Sequence, residues 1–119
     1  MVEHLREPSV VPVPGGKVIH EWFGRVRTGD AAASVAHMRA PAGWAEPAQV
    51  PEFDELTLVL RGAVRVEHDS GVVDAVAGEA VLSRAGERIR YSVPADAGET
   101  EYVAICVPAF GPELANREE

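Results

Sequence analysis

The sequence predicts an all-β barrel. Pro and Gly recur about every ten residues, and the segments between them are short, apolar and rich in Val, which is how closely spaced strands read. No stretch holds apolar residues at the three-and-four spacing of a helix for more than two turns. A hydrophobic fraction of 46% with 25% charged residues matches ordinary globular chains and excludes global disorder.

Taken in order, strands are expected over 10–13 and 17–25, on either side of the Pro14-Gly15-Gly16 turn. The next, 31–39, follows Thr28-Gly29-Asp30, and 46–50, 55–60 and 63–68 lead to a hairpin turn at Asp69-Ser70-Gly71. Strands over 72–76 and 80–83 come next, then 88–93 after Ala85-Gly86 and 101–107 after Ala97-Gly98. Each break supplies a residue that tolerates a positive φ or a tight turn. So many strands in 119 residues imply a barrel or a sandwich. Pro108 and Pro112 lack a backbone donor and stop the last strand, after which Phe110 folds back over the barrel. A terminal turn is expected within 111–118, with the tail Arg117-Glu118-Glu119 frayed.

Alternation along a strand sets which side chains share a face. In 55–61, Leu56, Leu58 and Leu60 form one face and Glu55, Thr57, Val59 and Arg61 the other. Both faces carry apolar groups, so both are expected to be covered, by a second sheet or by a partner chain, and a homodimer follows as the expectation. In 88–93, Ile89, Tyr91 and Val93 point inward, leaving Arg88 and Arg90 to solvent or an interface.

Charge narrows the partners. Eleven Lys and Arg against nineteen Asp and Glu give −8, which repels a phosphate backbone, so no nucleic-acid partner is expected. No window approaches the roughly 18 apolar residues of a membrane span, and the start MVEHLREPSV has no apolar signal region. No membrane association and a cytoplasmic location are the expectations. Cys106 is the single cysteine, in the apolar run YVAICVP, and reads as a buried core thiol.

Two partial motifs carry a resemblance. Gly43, Gln49, Pro51, Glu55 and Gly62 follow the spacing of the first cupin motif, G-x5-H-x-H-x3-E-x6-G, with Gln49 and Pro51 where the histidines belong. Gly78 and Gly86 keep the spacing of the second, G-x5-P-x-G-x2-H-x3-N, while Arg84, Ile89 and Val93 replace its proline, histidine and asparagine. The chain thus resembles a small single-domain cupin of the RmlC-like superfamily with degenerate metal-binding motifs. The resemblance implies a double-stranded β-helix, the cupin jelly-roll barrel, as one domain over 1–119. Within it, N-terminal strands occupy 10–25, the motifs about 31–110 and a short C-terminal tail 111–119.

It also implies a pocket lined by the motif strands, often in a dimer. Metal-bearing cupins hold their ion with three histidines and a glutamate, and of these only Glu55 stands here. An amide oxygen is a feeble ligand, and proline and isoleucine side chains offer none, so no standard metal site and no cofactor are expected. Glu46, Glu52, Asp54 and Gln49 leave an unusual oxygen-rich site open. Among the histidines, His4 and His68 read as surface residues and His20 as a surface or contact residue. His37 shares a face with Val35 and Arg39, and enters the pocket if that face points inward; Arg39 would then pair with Glu55 or with an anionic ligand.

A buried Glu55 without a metal would have its pKa raised and be poised for proton transfer. The candidate catalytic residues are therefore Glu55, His37 and Tyr91, and the candidate ligand-binding residues Gln49, Arg39, Glu46 and Trp44. Three functions remain open. One is a metal-independent lyase, isomerase or cyclase acting on a small molecule. A second is a non-catalytic ligand-binding or scaffold cupin, and a third a metal-dependent enzyme with unusual oxygen ligands.

Overall fold

The computed structural model describes residues 1–118. Among these the strands are β1 (Ser9–Val11), β2 (Val18–Phe23), β3 (Ser34–Ala40), β4 (Asp54–Arg61), β5 (Ala63–His68), β6 (Gly71–Val76), β7 (Ala80–Ser83), β8 (Ile89–Ser92) and β9 (Thr100–Val107). One short helix, α1 (Pro112–Ala115), follows. A six-stranded sheet runs β1-β2-β3-β9-β4-β7 and a three-stranded sheet β6-β5-β8, every pair antiparallel. Val59, Tyr102 and Ala104 of the larger sheet meet Val64, Val66, Ala75 and Tyr91 of the smaller, and Val93 just past β8, in one buried cluster. No helix among the described residues is long and apolar enough to cross a membrane.

The expected strand over 46–50 does not form. Pro47 and Pro51 each remove a ladder donor, and the segment attaches by single bridges, Ala45 to Ser92 and Gln49 to Ile89 and Arg117. The tail expectation is also corrected. Glu118 holds Arg88 with two bonds of 2.7 and 3.0 Å, and its backbone nitrogen donates to Ala48 at 2.8 Å. Asn116 adopts a left-handed conformation (φ 52) that turns the chain back, and its amide donates to Val50 O at 3.0 Å. Glu119 lies outside the described residues.

On β4, Glu55, Thr57 and Val59 are buried, whereas Leu58 and Leu60 are 39% and 47% exposed. In the single chain only one of the two apolar faces is covered. The Thr57 hydroxyl is buried with no hydrogen-bond partner among the described residues. At the β4–β5 corner Gly62 has φ +79, and a Cβ there would stand 3.0 Å from Thr100 Cα, so the position demands glycine twice over. Thr100 in turn accepts from Ala63 N at 3.2 Å, which ties the corner to β9.

Candidate functional site

The inward faces of the larger sheet and of β8 enclose a cavity of about 30 Å³, room for one or two waters. Glu55 of β4 and Tyr91 of β8 are in its wall, with Tyr102 and Cys106 of β9 and Phe53 and Phe110 nearby. Glu46 and Gln49 enter from the segment before β4, Lys17 from just before β2, and Arg117 from the tail. A second recess of about 260 Å³, lined by Val13, Pro14, Trp44 and Pro47, shares Lys17, Glu46 and Arg117 with the first. Those three side chains form the partition between the inner chamber and the outer recess.

Lys17 is the least expected member. Its side chain is 6% exposed, and its ammonium rests 4.4 Å from the Trp44 ring centre and 5.4 Å from that of Tyr102. The one carboxylate oxygen near it, Glu46 Oε2, is 3.9 Å away, beyond hydrogen-bond distance. Burial lowers the Lys17 pKa, against the attraction of Glu46 and Glu55. Arg117 reaches the same Glu46 oxygen at 3.4 Å and donates from Nε to Gln49 Oε1 at 3.1 Å.

Glu55 is buried, and that desolvation pushes its carboxyl up to about 7. Lys17, a hydrogen bond from Tyr91 and Arg117 oppose the rise, while Glu46 adds to it. The Tyr91 hydroxyl also reaches Ser83 Oγ at 3.2 Å. Burial and the Glu55 charge raise the Tyr91 pKa well above its ordinary value, so it stays a phenol and serves as a hydrogen-bond donor, not a base. Burial raises the Cys106 thiol likewise and leaves it unreactive. Glu21 also faces the cavity, but its Oε2 is occupied by Val26 N and Arg27 N at 2.9 and 2.8 Å.

Of the expected site residues, Glu55, Tyr91, Gln49 and Glu46 come together around the chamber, and Trp44 is 6% exposed in the core beneath Lys17, where it lines the outer recess. His37 and Arg39 do not join them. The cavity takes Ser34, Ala36 and Met38 of β3, so the alternate face points out, and His37 and Arg39 lie 3.5 and 3.4 Å from Glu101 instead. Lys17 and Arg117 were missed. Lys17 alternates with Ile19 and Glu21, but Val18 and Trp22 make the opposite face equally apolar, so pattern alone does not choose. Nothing in the pattern marks Arg117.

The donor set does not suit a metal. Gln49 Oε1 is taken by Arg117, and the Lys17 ammonium brings a positive charge to the same chamber. Glu52 accepts from Asn116 and Asp54 from Ala85 N and Arg84, so neither joins Glu55. Among the described residues no three His, Cys, Asp or Glu stand close enough to share an ion.

No family model matches the chain. It is 42% identical over 114 residues to the endoribonuclease YbeY of Myxococcus xanthus, covering 96% of this chain and 38% of that protein's length. The solved structure of a Streptomyces PAC13 variant with uridine superposes over 100% of this chain and 93% of its own, with a TM-score of 0.76 at 17% identity. PAC13 is described as a nucleoside dehydratase. An RmlC-like cupin from Shewanella frigidimarina matches over 90% of this chain and 89% of its own, with a TM-score of 0.72 at 12% identity.

Proposed function

We propose that this cupin-fold barrel is a metal-independent lyase that eliminates water from a small hydroxylated molecule, with Glu55 moving the proton. One observation carries the proposal: a buried carboxyl poised at about 7 and bonded to a phenol that stays protonated. Near neutral pH such a group both accepts and donates a proton readily. The ionised Glu55 takes a proton from a carbon next to an electron-withdrawing group. The carbon–oxygen bond on the neighbouring carbon breaks, and the hydroxyl leaves as water with the proton Glu55 has carried. A double bond remains, Glu55 is again a carboxylate, and no oxidant is consumed. Tyr91 steadies the ionised form with its hydrogen bond, and Arg117 fixes the Gln49 amide so that its nitrogen can face the ligand. The dehydratase described for the similar Streptomyces fold supports this class of reaction.

The test is exchange in heavy water. The purified protein is incubated with a panel of β-hydroxy carbonyl compounds, and NMR follows deuterium at the carbon beside the carbonyl and loss of the hydroxyl. The expected result is exchange with a pH midpoint near 7. Exchange no faster than in a Glu55→Gln control, across the panel, would sink the proposal.

A second reading rests on the Myxococcus protein, of whose length this chain spans 38%. A barrel carried within a longer protein suits a ligand-binding module without turnover. In that case Glu55→Gln alters ligand affinity and no reaction is found. A nucleic-acid partner has no place in either reading, since the chain carries −8, and the proposed setting is cytoplasmic. Retention of RNA by the protein in a gel-shift assay at physiological salt would remove this point.

The proposed partner is a second copy. Leu58, Leu60, Leu82 and Val107 are 39%, 47%, 50% and 53% exposed on the outward side of the larger sheet. Arg39, Arg61, Glu99 and Glu101 edge the same sheet, a mixture of signs that a two-fold axis can pair. Sedimentation should give a dimer for the wild type and a monomer for Leu58→Glu with Leu60→Glu. A wild-type monomer at high micromolar concentration would contradict it.

A further inference from the structure

We infer that the outer recess is an anion subsite, and that the ligand carries a single carboxylate held by Lys17 and Arg117. This rests on the proposed function only for the reacting end of the ligand, at Glu55; the subsite itself follows from geometry. Lys17 is a buried cation with no acceptor at hydrogen-bond distance, its nearest carboxylate oxygen being 3.9 Å away. An ammonium has three donors, and among the described residues the protein meets none of them, which leaves them free toward the cavities that Lys17 lines. The ring faces of Trp44 and Tyr102 attract its charge but take none of its hydrogen bonds directly.

Counting charge indicates what is missing. Lys17 and Arg117 contribute two positive charges to the partition and Glu46 one negative, through the same oxygen, Oε2. The remainder is one positive charge. Glu55 belongs to the inner chamber and does not line the recess, so it is not part of this count. Glu21 likewise lines only the inner chamber, where its Oε2 accepts from Val26 N and Arg27 N. A monoanion balances the partition, whereas a dianion such as sulfate overshoots it.

Position supports the same reading. Lys17, Glu46 and Arg117 line both cavities, so an anion bound there in the roomy recess leaves the rest of a ligand directed at the small chamber that holds Glu55. A carboxylate has the planar two-oxygen form that an arginine fork and an ammonium bind together. Trp44 and Pro14 give the recess apolar walls for a carbon skeleton.

The experiment compares benzoate with benzamide, which match in shape and differ in charge. Binding is followed by NMR at the Trp44 indole N–H and the Lys17 ammonium, in wild type, Lys17→Met and Glu55→Gln. Benzoate is expected to bind at least about tenfold tighter than benzamide in wild type, with shifts at both reporters. Lys17→Met should erase that preference, and Glu55→Gln should keep it. Equal binding of acid and amide in wild type overturns the inference, as does absence of any benzoate shift at Trp44. If Lys17→Met fails to fold, the wild-type comparison still decides, with sulfate as the dianion expected to compete less well than benzoate. Failure of the lyase reading would appear separately, as absent deuterium exchange with the benzoate preference intact.

Discussion

Replacing Glu55 with Gln is expected to cost at least about a hundredfold in turnover and, in the same molecule, to raise stability at pH 8 by roughly 2–3 kcal/mol over wild type. The two effects share one cause. The folded barrel buries a carboxyl and raises it from 4.5 to about 7, which amounts to roughly 3 kcal/mol of preference for the protonated form. The sign follows from proton uptake. Between 4.5 and 7 the unfolded chain has released this proton while the folded chain keeps it, so rising pH favours unfolding. The contribution of Glu55 is therefore complete below about 4.5 and lost above about 7. Gln has the same shape, keeps a donor for its neighbours and never ionises. Urea denaturation of both proteins at pH 5 and pH 8 measures the difference: the Gln variant should gain on wild type across that interval. Parallel stabilities at the two pH values would mean that Glu55 is hydrated and not poised. Raised stability with lost turnover is the pattern of a group held in an unfavourable place for its chemistry.

Phe53→Ala is expected to lose about 3–5 kcal/mol. The Phe53 ring is 1% exposed, meets the Phe110 ring edge-on at 5.9 Å and packs with Cys106 and Ala115. It is thus where the segment after β9 is fastened to the barrel, and that segment delivers Arg117. Removing the ring also opens the chamber, because Phe53 is part of its wall. Water admitted there should relieve the desolvation of Glu55 and move its midpoint below 7. Urea denaturation reads the first effect and a pH titration of the Glu55 carboxyl by NMR the second. A loss under about 1 kcal/mol would show that the C-terminal segment closes over the gap unaided.

Much of this site was legible, and its limits have identifiable causes. Ile89, Tyr91 and Val93 are apolar opposite two arginines, so their inward direction follows from one strand's pattern, and all three are buried. Glu55 was located by spacing between glycines that serve turns; Gly43, Gly62, Gly78 and Gly86 all have positive φ. The strand expected over 46–50 does not form because the missing donors of Pro47 and Pro51 outweigh the segment's apolar residues.

The sequence by itself determined nine strands, all but the one expected over 46–50, with their turns and which side chains share a face, since these depend on neighbours a few residues apart. It did not determine which face of β3 or β4 looks inward. Val35 and Ala36, or Leu58 and Val59, are comparably apolar, and only packing against the second sheet separates Ala36 from His37 and Val59 from Leu58. Nor did it bring Lys17, Glu46, Glu55 and Arg117 together. They belong to four separate segments, and antiparallel pairing, the Pro-pinned segment and the returning tail place them around one chamber, where burial rather than residue type raises Glu55 and lowers Lys17.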